Sequence, residues 1–525
     1  MAVLHTLSDH AKDRAAGVLL GNACGDALGV PYEFASRLTQ TQTPHMIGGG
    51  LGPYAPGEYS DDTQMAVCIA RALADHPDKT IDNKQLLNAI ATNFLTWRDN
   101  GATDIGAQTA TVLRNTDRTG RHVADSMLTA SREYWATGRP AAGNGALMRT
   151  APLGLYELND AASTANAARR VAELTHADPL AGDACVIWTE GIRHAVQRGD
   201  FGGIRQGVKL LPQQRRDWWN TRLDEAEAAD PHTFTNNGFV VSALQAAWSA
   251  ITRTPVPTHD PAQGTFAADH FRLALEAAVR AGHDTDTVAA IAGSLLGAHW
   301  GASAIPWHWQ RIVHGWPNIT SRDLTGLGTR LTAHYSPDMS EWPIRARQPR
   351  HSDALAPFQV PHPHDDGVIL GNLALADLDP ADLDVDAVVS LCRTGTDDFA
   401  HIPNEDHIKI WLVDRVGANR HVHFALDQAA RAVHTLRAEG KRVLLHCAAG
   451  RSRTPTAGAR YSGLLGIEPA TAMKDIRHAL APNKPWVNIE LEDTVFDLDG
   501  RPRPDRGPLL ARRKTDKRGR ERTRR

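Results

Sequence analysis

Over roughly the first three-fifths of the chain, one pattern repeats. Apolar residues, many of them alanine, recur at helical spacing, and Gly, Pro, Asp and Thr fill the gaps between segments. The spacing predicts helices around residues 65–74, 167–174, 184–196, 240–251, 271–281 and 288–298, and an all-α domain over residues 1–335. Gly17, Gly21, Gly25 and Gly29 recur at every fourth position, which on a helix makes one smooth, narrow face suited to close packing. Strand signals are sparse until residue 367. From there short runs rich in Val, Ile and Leu, at 367–370, 385–391, 408–413 and 443–445, alternate with helical patterns at 424–439 and 454–465. That alternation predicts a small α/β domain with a mainly parallel sheet over residues 365–500. Between the two, residues 336–364 hold Pro337, Pro343, Pro349, Pro357, Pro361 and Pro363 without periodicity and read as a linker. His362, His364, Asp365 and Asp366 lie at its end; a metal site there is conceivable, and a polar linker is the ordinary reading.

Length agrees with this division. A chain of 525 residues exceeds what one core supports, so the expected fold class is multidomain. The net charge of −3 is unevenly spread: residues 501–525 carry twelve Lys/Arg and three Asp/Glu, or +9, which leaves −12 for the rest. With almost no apolar residues, this basic tail is expected to be disordered. A solvated tail is the ordinary reading; contact with nucleic acid or acidic protein is the alternative. The five cysteines, Cys24, Cys68, Cys185, Cys392 and Cys447, are odd in number and form no CxxC pair, which fits a reducing compartment. The first fourteen residues lack a signal-like apolar core, and no apolar run reaches membrane-spanning length. A cytoplasmic protein without a membrane partner is expected; the oligomeric state stays open.

Two acidic clusters carry the candidate chemistry of the first domain, Ser60-Asp61-Asp62-Thr63 and Asp284-Thr285-Asp286-Thr287, each just before an Ala-rich helical pattern. Ser and Asp commonly cap helices at such positions. A second cluster of the same kind makes capping alone less convincing. Carboxylates that converge are costly without a cation, and hard cations such as Mg²⁺ take oxygen ligands. Asp26 and Glu33 stand apart from both clusters. Glu33 follows Pro31 and Tyr32, where a helix would stop, so its carboxylate could enter a cavity. Gly143-Asn144-Gly145 exposes backbone N–H groups suited to phosphate, although Asn-Gly is also a common turn. His176 follows in Thr175-His176-Ala177-Asp178.

In order along residues 11–330, GVLLGNACGDALGVPYE, EYSDDTQMA, GNGALMRTAPLGL, THADP, NGFVVSALQAAW, GHDTDTVAAIAGSLLGAHWG and IPWHW resemble the motifs of the ADP-ribosylglycohydrolase family, the dinitrogenase-reductase-activating type. The resemblance implies an all-helical fold and two Mg²⁺ or Mn²⁺ ions held by Ser60, Asp61, Asp62, Asp284, Asp286 and Thr287. It implies that Glu33 is a mobile catalytic or metal-bound carboxylate, and that Gly143, Asn144, Gly145 and His176 line an ADP-ribose pocket with Phe239 beside the adenine. Ser60 stands where relatives often have Thr; both offer a hydroxyl oxygen. The implied reaction is hydrolysis of an N- or O-glycosidic bond at ribose C1″, with Asp62 or Glu33 as base and an oxocarbenium-like transition state.

A second constellation lies at His446-Cys447-Ala448-Ala449-Gly450-Arg451-Ser452-Arg453-Thr454, where a predicted strand runs into a Cys-x5-Arg loop and then a helix. Such a loop aims N–H groups and a helix dipole at one point, which favours a thiolate and an anion. A buried structural Cys at a strand end is the plainer alternative. The segment 365–490 resembles compact cysteine-dependent tyrosine and dual-specificity phosphatases. That likeness implies Cys447 as nucleophile, Arg453 as phosphate ligand, Thr454 as an aid to breakdown of the phosphocysteine, and Asp414 as general acid, with Asp398 and Asp406 as alternatives. The combined expectation is a bifunctional hydrolase acting on ADP-ribosylated protein or small-molecule substrates and on a phosphorylated substrate. The competing expectation is an ADP-ribose-binding module attached to an active phosphatase.

Overall fold

The computed structural model describes residues 7–120, 122–332, 345–346 and 356–506. Most of the expected linker, and the tail from residue 507, lie outside the described residues.

Two helices form the centre of the first domain: α1 (Asp9–Gly29) and, late in the chain, the helix Thr285–Trp300. Between them come α2 (Asp61–Asp75) and α3 (Pro179–Arg198), the latter opened by Pro179 with the Asp178 carboxylate accepting from the Leu180 N–H. With Thr285–Trp300 numbered α4, a short α5 (Trp307–Ile312) follows. Nearly every residue of α1 and all of α4 are buried, so neither helix shows an amphipathic stripe. The four-residue glycine repeat explains how they fit. A Cβ on Gly17 would sit 2.6 Å from Gly297 O, and one on Gly21, Gly25 or Gly29 would collide with the backbone of Gly293, Ala289 and Asp286. Gly293 and Gly297 return the contact against Gly21 and Gly17. Asn22 fastens the pair at mid-length, its amide donating to Ala290 O at 3.1 Å and to Met148 O at 3.2 Å.

The second domain is built on β1 (Gln359–His362), β2 (Asp365–Asn372), β3 (Ala387–Ser390), β4 (His407–Lys409) and β5 (Val443–Cys447), in the order β1-β2-β5-β3-β4. β1 pairs antiparallel with β2; the other pairs are parallel. Helices α6 (Val422–Ala438) and α7 (Arg453–Leu464) flank the sheet. β1 falls inside the expected linker. Its Pro361 is tolerated because β1 is an edge strand, where a missing N–H breaks no ladder. The expected strands at 385–391 and 408–413 are present as the shorter β3 and β4. His362 meets Gly458 O at 3.1 Å and His364 meets Ser462 and Asp475, so both rings serve local hydrogen bonds.

The two domains pack directly. Arg311 of α5 donates to Glu405 O at 2.6 Å and forks onto Glu439 at 2.6 and 2.8 Å. The Trp307 N–H donates to Gln428 at 3.1 Å, and Phe266 meets Phe424 edge-on with ring centroids 5.5 Å apart. No helix among the described residues is long and apolar enough to cross a membrane.

Candidate functional site

Capping does not account for the acidic clusters. Ser60 stands before α2 and Asp284 before α4, yet neither side chain caps its helix. The free N–H groups at the start of α2 are satisfied instead by Asp26, which reaches across from α1. Its carboxylate accepts from the Ser60 N–H at 2.8 Å, the Ser60 hydroxyl at 2.7 Å, the Thr63 N–H at 2.9 Å and the Thr63 hydroxyl at 2.6 Å. This uses both oxygens of a fully buried carboxylate.

Oxygen atoms of Asp26, Asp62 and Asp286 lie within 4.8 Å of one another, and so do those of Glu33, Asp284 and Asp286. Asp286 belongs to both groups. The glycine stripe makes this possible, because it lets α1 approach α4 closely enough for Asp26 to reach Asp286. Ser60 Oγ is within 3.1 Å of Asp62 and 3.3 Å of Asp286 as well as bonded to Asp26, but its single proton can serve one acceptor. Asp62 Oδ1 is buried without any hydrogen-bond partner. Burial, then the charges of Asp26, Asp61 and Asp284, pushes Asp62 well above the usual carboxylate range, and burial, then Asp62, Glu33 and Asp284, does the same to Asp286. Burial and then the charges of Asp284, Asp104 and Asp26 push Glu33 up to about 8. An all-oxygen donor set with an orphaned buried carboxylate oxygen fits a hard divalent cation.

A cavity of about 1010 Å³ opens above this layer. Glu33, Asp61, Asp284, Asp286 and Thr287 line its acidic end, and Gly143, Asn144, Gly145, His176 and Phe239 line its wall. Ser60 and Asp62 are buried and form no part of that wall, while Asp61 lines it without joining either carboxylate group. Asn144 ties the two halves together, donating to Asp284 at 2.8 Å and to Asn237 O at 2.9 Å. Gly143 bridges Phe239 as a short antiparallel pair. His176 completes a relay: Arg149 donates to Thr175 Oγ1 at 2.6 Å, and Thr175 Oγ1 lies 2.8 Å from His176 Nδ1. Thr175 Oγ1 is thus an acceptor toward Arg149 and keeps its own proton available for Nδ1. Burial, then the Arg149 charge, lowers His176 to about 3 and keeps it neutral. The absence of a side chain at Gly145 makes room for the ring, since a Cβ there would lie 3.2 Å from His176 Cε1.

One member of these carboxylate groups is not singled out as a ligand by the sequence, Asp26, and Asp104 adds its charge from the cavity wall. Asp26 stood apart because it belongs to neither cluster. A carboxylate in the middle of a small-residue helix was the available signal, since burial there is costly without partners.

In the second domain, Cys447 ends β5 and Arg453 begins α7. Among the described residues, the backbone N–H groups of Ala448, Ala449, Gly450, Arg451 and Ser452 find no acceptor. Gly450 is left-handed (φ 65°), and a Cβ there would fall 2.9 Å from Gly371 O. Arg453 is held by Leu391 O at 2.6 Å and Leu412 O at 2.9 Å, while its buried Nε has no hydrogen-bond partner. Burial alone would raise the Cys447 thiol, but the Arg453 charge and hydrogen bonds from Thr454 outweigh it and bring the thiol below its usual value. Asp414 lies beside the loop, accepting from Ser452 Oγ at 2.7 Å with Arg453 Nε 4.0 Å away. Asp398 accepts from the Gly395 N–H at 2.6 Å, and Asp406 pairs with Arg311 and Lys441.

Residues 7–339 match the family model described as ADP-ribosylglycohydrolase. The chain belongs to that family. It is 30% identical over 303 residues to ADP-ribosyl-(dinitrogen reductase) glycohydrolase of Rhodospirillum rubrum, covering 57% of this chain and 89% of that protein. It is 26% identical to ADP-ribosylarginine hydrolase Tri1 of Serratia proteamaculans over 57% of this chain and 74% of that one. With ADP-ribosylhydrolase ARH3 of Homo sapiens it shares 24% identity over 58% of this chain and 90% of that one. A solved structure titled ADP-ribosylglycohydrolase-related protein complex aligns with a TM-score of 0.48 at 28% identity, over 62% of this chain and 99% of that one. The family match stops at residue 339, before the sheet.

Proposed function

We propose that the first domain hydrolyses the glycosidic bond at ribose C1″ of ADP-ribosylated substrates, with Ser60, Asp61, Asp62, Asp284, Asp286 and Thr287, joined by Glu33, holding two Mg²⁺ or Mn²⁺ ions, and Asp26 fixing Ser60 and Thr63 beneath them. The observation that carries this reading is the pair of carboxylate groups sharing Asp286 at the end of a cavity of about 1010 Å³. Bound there, the cations would supply Lewis-acid stabilisation of charge. The protein's own groups divide the remaining work. Gly143 and Gly145 present backbone to a diphosphate, the His176 Nε2–H donates into the cavity, and Phe239 offers a face for the adenine. In this reading Glu33, on the cavity wall and half-buried, acts as base for the attacking water, in the ionised form a bound cation would favour; Asp62, the other candidate base, is sealed beneath. Turnover of ADP-ribosyl-arginine and ADP-ribosyl-serine peptides, with and without Mg²⁺ and with Asp286→Ala as control, tests the proposal. Release of ADP-ribose supports it; binding without release replaces the enzyme with a binding module.

A second activity is favoured by a separate observation, the unsatisfied N–H groups around a thiol of lowered pKa. In this reading the Cys447 thiolate attacks a phosphomonoester, the P–O bond to the leaving group breaks, and Asp414 gives that oxygen its proton. Water then cleaves the phosphocysteine with Asp414 as base, returning thiolate and inorganic phosphate. Arg453 and the loop N–H groups hold the phosphoryl oxygens. Phosphate release from aryl phosphates that disappears in Cys447→Ser is the expected result; its persistence would remove the reading.

A further inference from the structure

We infer that the helical domain is a structural part of the Cys447 site, with Arg415 and Arg420 as positioning residues for Asp414. The inference rests on the phosphomonoesterase reading above. Asp414 belongs to the segment 410–421 between β4 and α6, and that segment is tied down on three sides. Toward the active loop, Asp414 accepts from Ser452 Oγ at 2.7 Å and, more weakly, from Asn488 Nδ2 at 3.5 Å. Internally, Asn419 brackets the residue just before Asp414: its Oδ1 accepts from the Val413 N–H at 2.7 Å and its Nδ2 donates to Val413 O at 2.8 Å. A displacement at Asn419 is thereby passed directly to Asp414.

The third side is the other domain. Arg415, next to Asp414, pairs with Asp9 in the first turn of α1. Arg420, next to Asn419, donates to His299 O at 2.7 Å and lies 5.2 Å from the Trp300 ring centroid, and the His421 ring meets Trp300 O at 2.9 Å. His299 and Trp300 are the last two residues of α4, where carbonyls lack intrahelical donors and the helix end is partially negative. A guanidinium is therefore well matched to this end of α4. Arg415 adjoins Asp414 itself and Arg420 adjoins Asn419 of the bracket, and each grips a helix terminus of the first domain. A loop that must put one carboxylate within reach of a leaving oxygen needs such anchorage, because general-acid transfer depends on sub-ångström placement.

The test uses the full-length chain and two leaving groups. Protonation by Asp414 matters most for a poor leaving group, so phenyl phosphate should report its placement and p-nitrophenyl phosphate should be less sensitive. Arg420→Ala is expected to lower kcat for phenyl phosphate about tenfold with KM little changed, and to lower it less than about threefold for p-nitrophenyl phosphate. Arg415→Gln, at a largely exposed residue whose replacement leaves the core untouched, should shift the ratio in the same direction. Equal losses on both esters, or no loss in either variant, would overturn the positioning role. Wild-type turnover that survives Cys447→Ser would instead overturn the underlying reading, and this inference with it.

Discussion

Phe34 and His283 are both left-handed, at φ 49° and 62°, and the Phe34 N–H donates to the His283 carbonyl at 2.7 Å. One is the neighbour of Glu33 and the other of Asp284, so this single bond joins the backbones that present two facing carboxylates. Bulky residues leave the left-handed region when they can, at a gain of about 1–2 kcal/mol. Their retention here points to a requirement on where Glu33 stands.

Phe34→Gly should separate strain from position. Glycine carries no left-handed penalty, so thermal stability is expected to hold or rise. The Glu33 backbone gains freedom, and kcat for ADP-ribose release is expected to fall about tenfold. An unchanged kcat alongside raised stability would show that the strain has no role in cleavage.

Asp286 belongs to both carboxylate groups. Asp286→Asn removes a charge from a crowded, buried layer, so the metal-free protein should unfold at a higher temperature than wild type. Wild type should gain about 2.7 kcal/mol at a cation concentration a hundredfold above Kd, and the variant much less. Thermal scans with EDTA and with added Mg²⁺ or Mn²⁺ measure both effects.

Gly25→Ala tests the α1–α4 contact. The added methyl meets the Ala289 backbone rather than a flexible side chain. A loss of about 1–3 kcal/mol or more is expected, with cleavage lost in step as Asp26 and Asp286 separate. Denaturant unfolding followed by tryptophan fluorescence reads the first.

Cys447 should be the thiol alkylated first. Burial pushes Cys68, Cys185 and Cys392 up to about 12, whereas the Arg453 charge and Thr454 bring Cys447 down against its burial. A depressed thiol stays ionised as the pH falls below its usual value, so the contrast should widen as the pH is lowered from 9. Iodoacetamide labelling with peptide mapping across that range reports it, and Arg453→Ala should narrow the difference.

The domain contact has an acid-sensitive component. The hydrogen bonds and charge of Arg311 hold Glu439 down to about 2 from its ordinary 4.5. A depressed carboxyl stabilises above its unfolded value and loses that contribution as the pH falls through the folded one. Glu439→Gln should therefore be less stable than wild type at neutral pH, with the difference vanishing between pH 4.5 and about 2. Because Glu439 is about one-third exposed, solvent screening keeps the effect small.

Much of this was legible beforehand. The helical period marked the first domain, and the doubled acidic motif marked one end of its cavity, because a second cluster of the same kind made capping alone less convincing. What brings the clusters together was written in the glycine repeat, but only as close packing, with no partner named. Asp26 was hidden by standing alone. β1 was hidden by Pro361, which an edge strand accepts and a central strand would refuse. Arg311, Arg415 and Arg420 looked like surface charges, since a domain interface built from single residues of distant segments leaves no local pattern.

One element serves both candidate centres. The N-terminal end of α4 carries Asp286, and its C-terminal end seats the loop that bears Asp414. Sixteen residues of α-helix span about 24 Å. That length acts as a ruler. It sets the carboxylates around Asp286 and the loop that bears Asp414 at opposite ends of one buried helix.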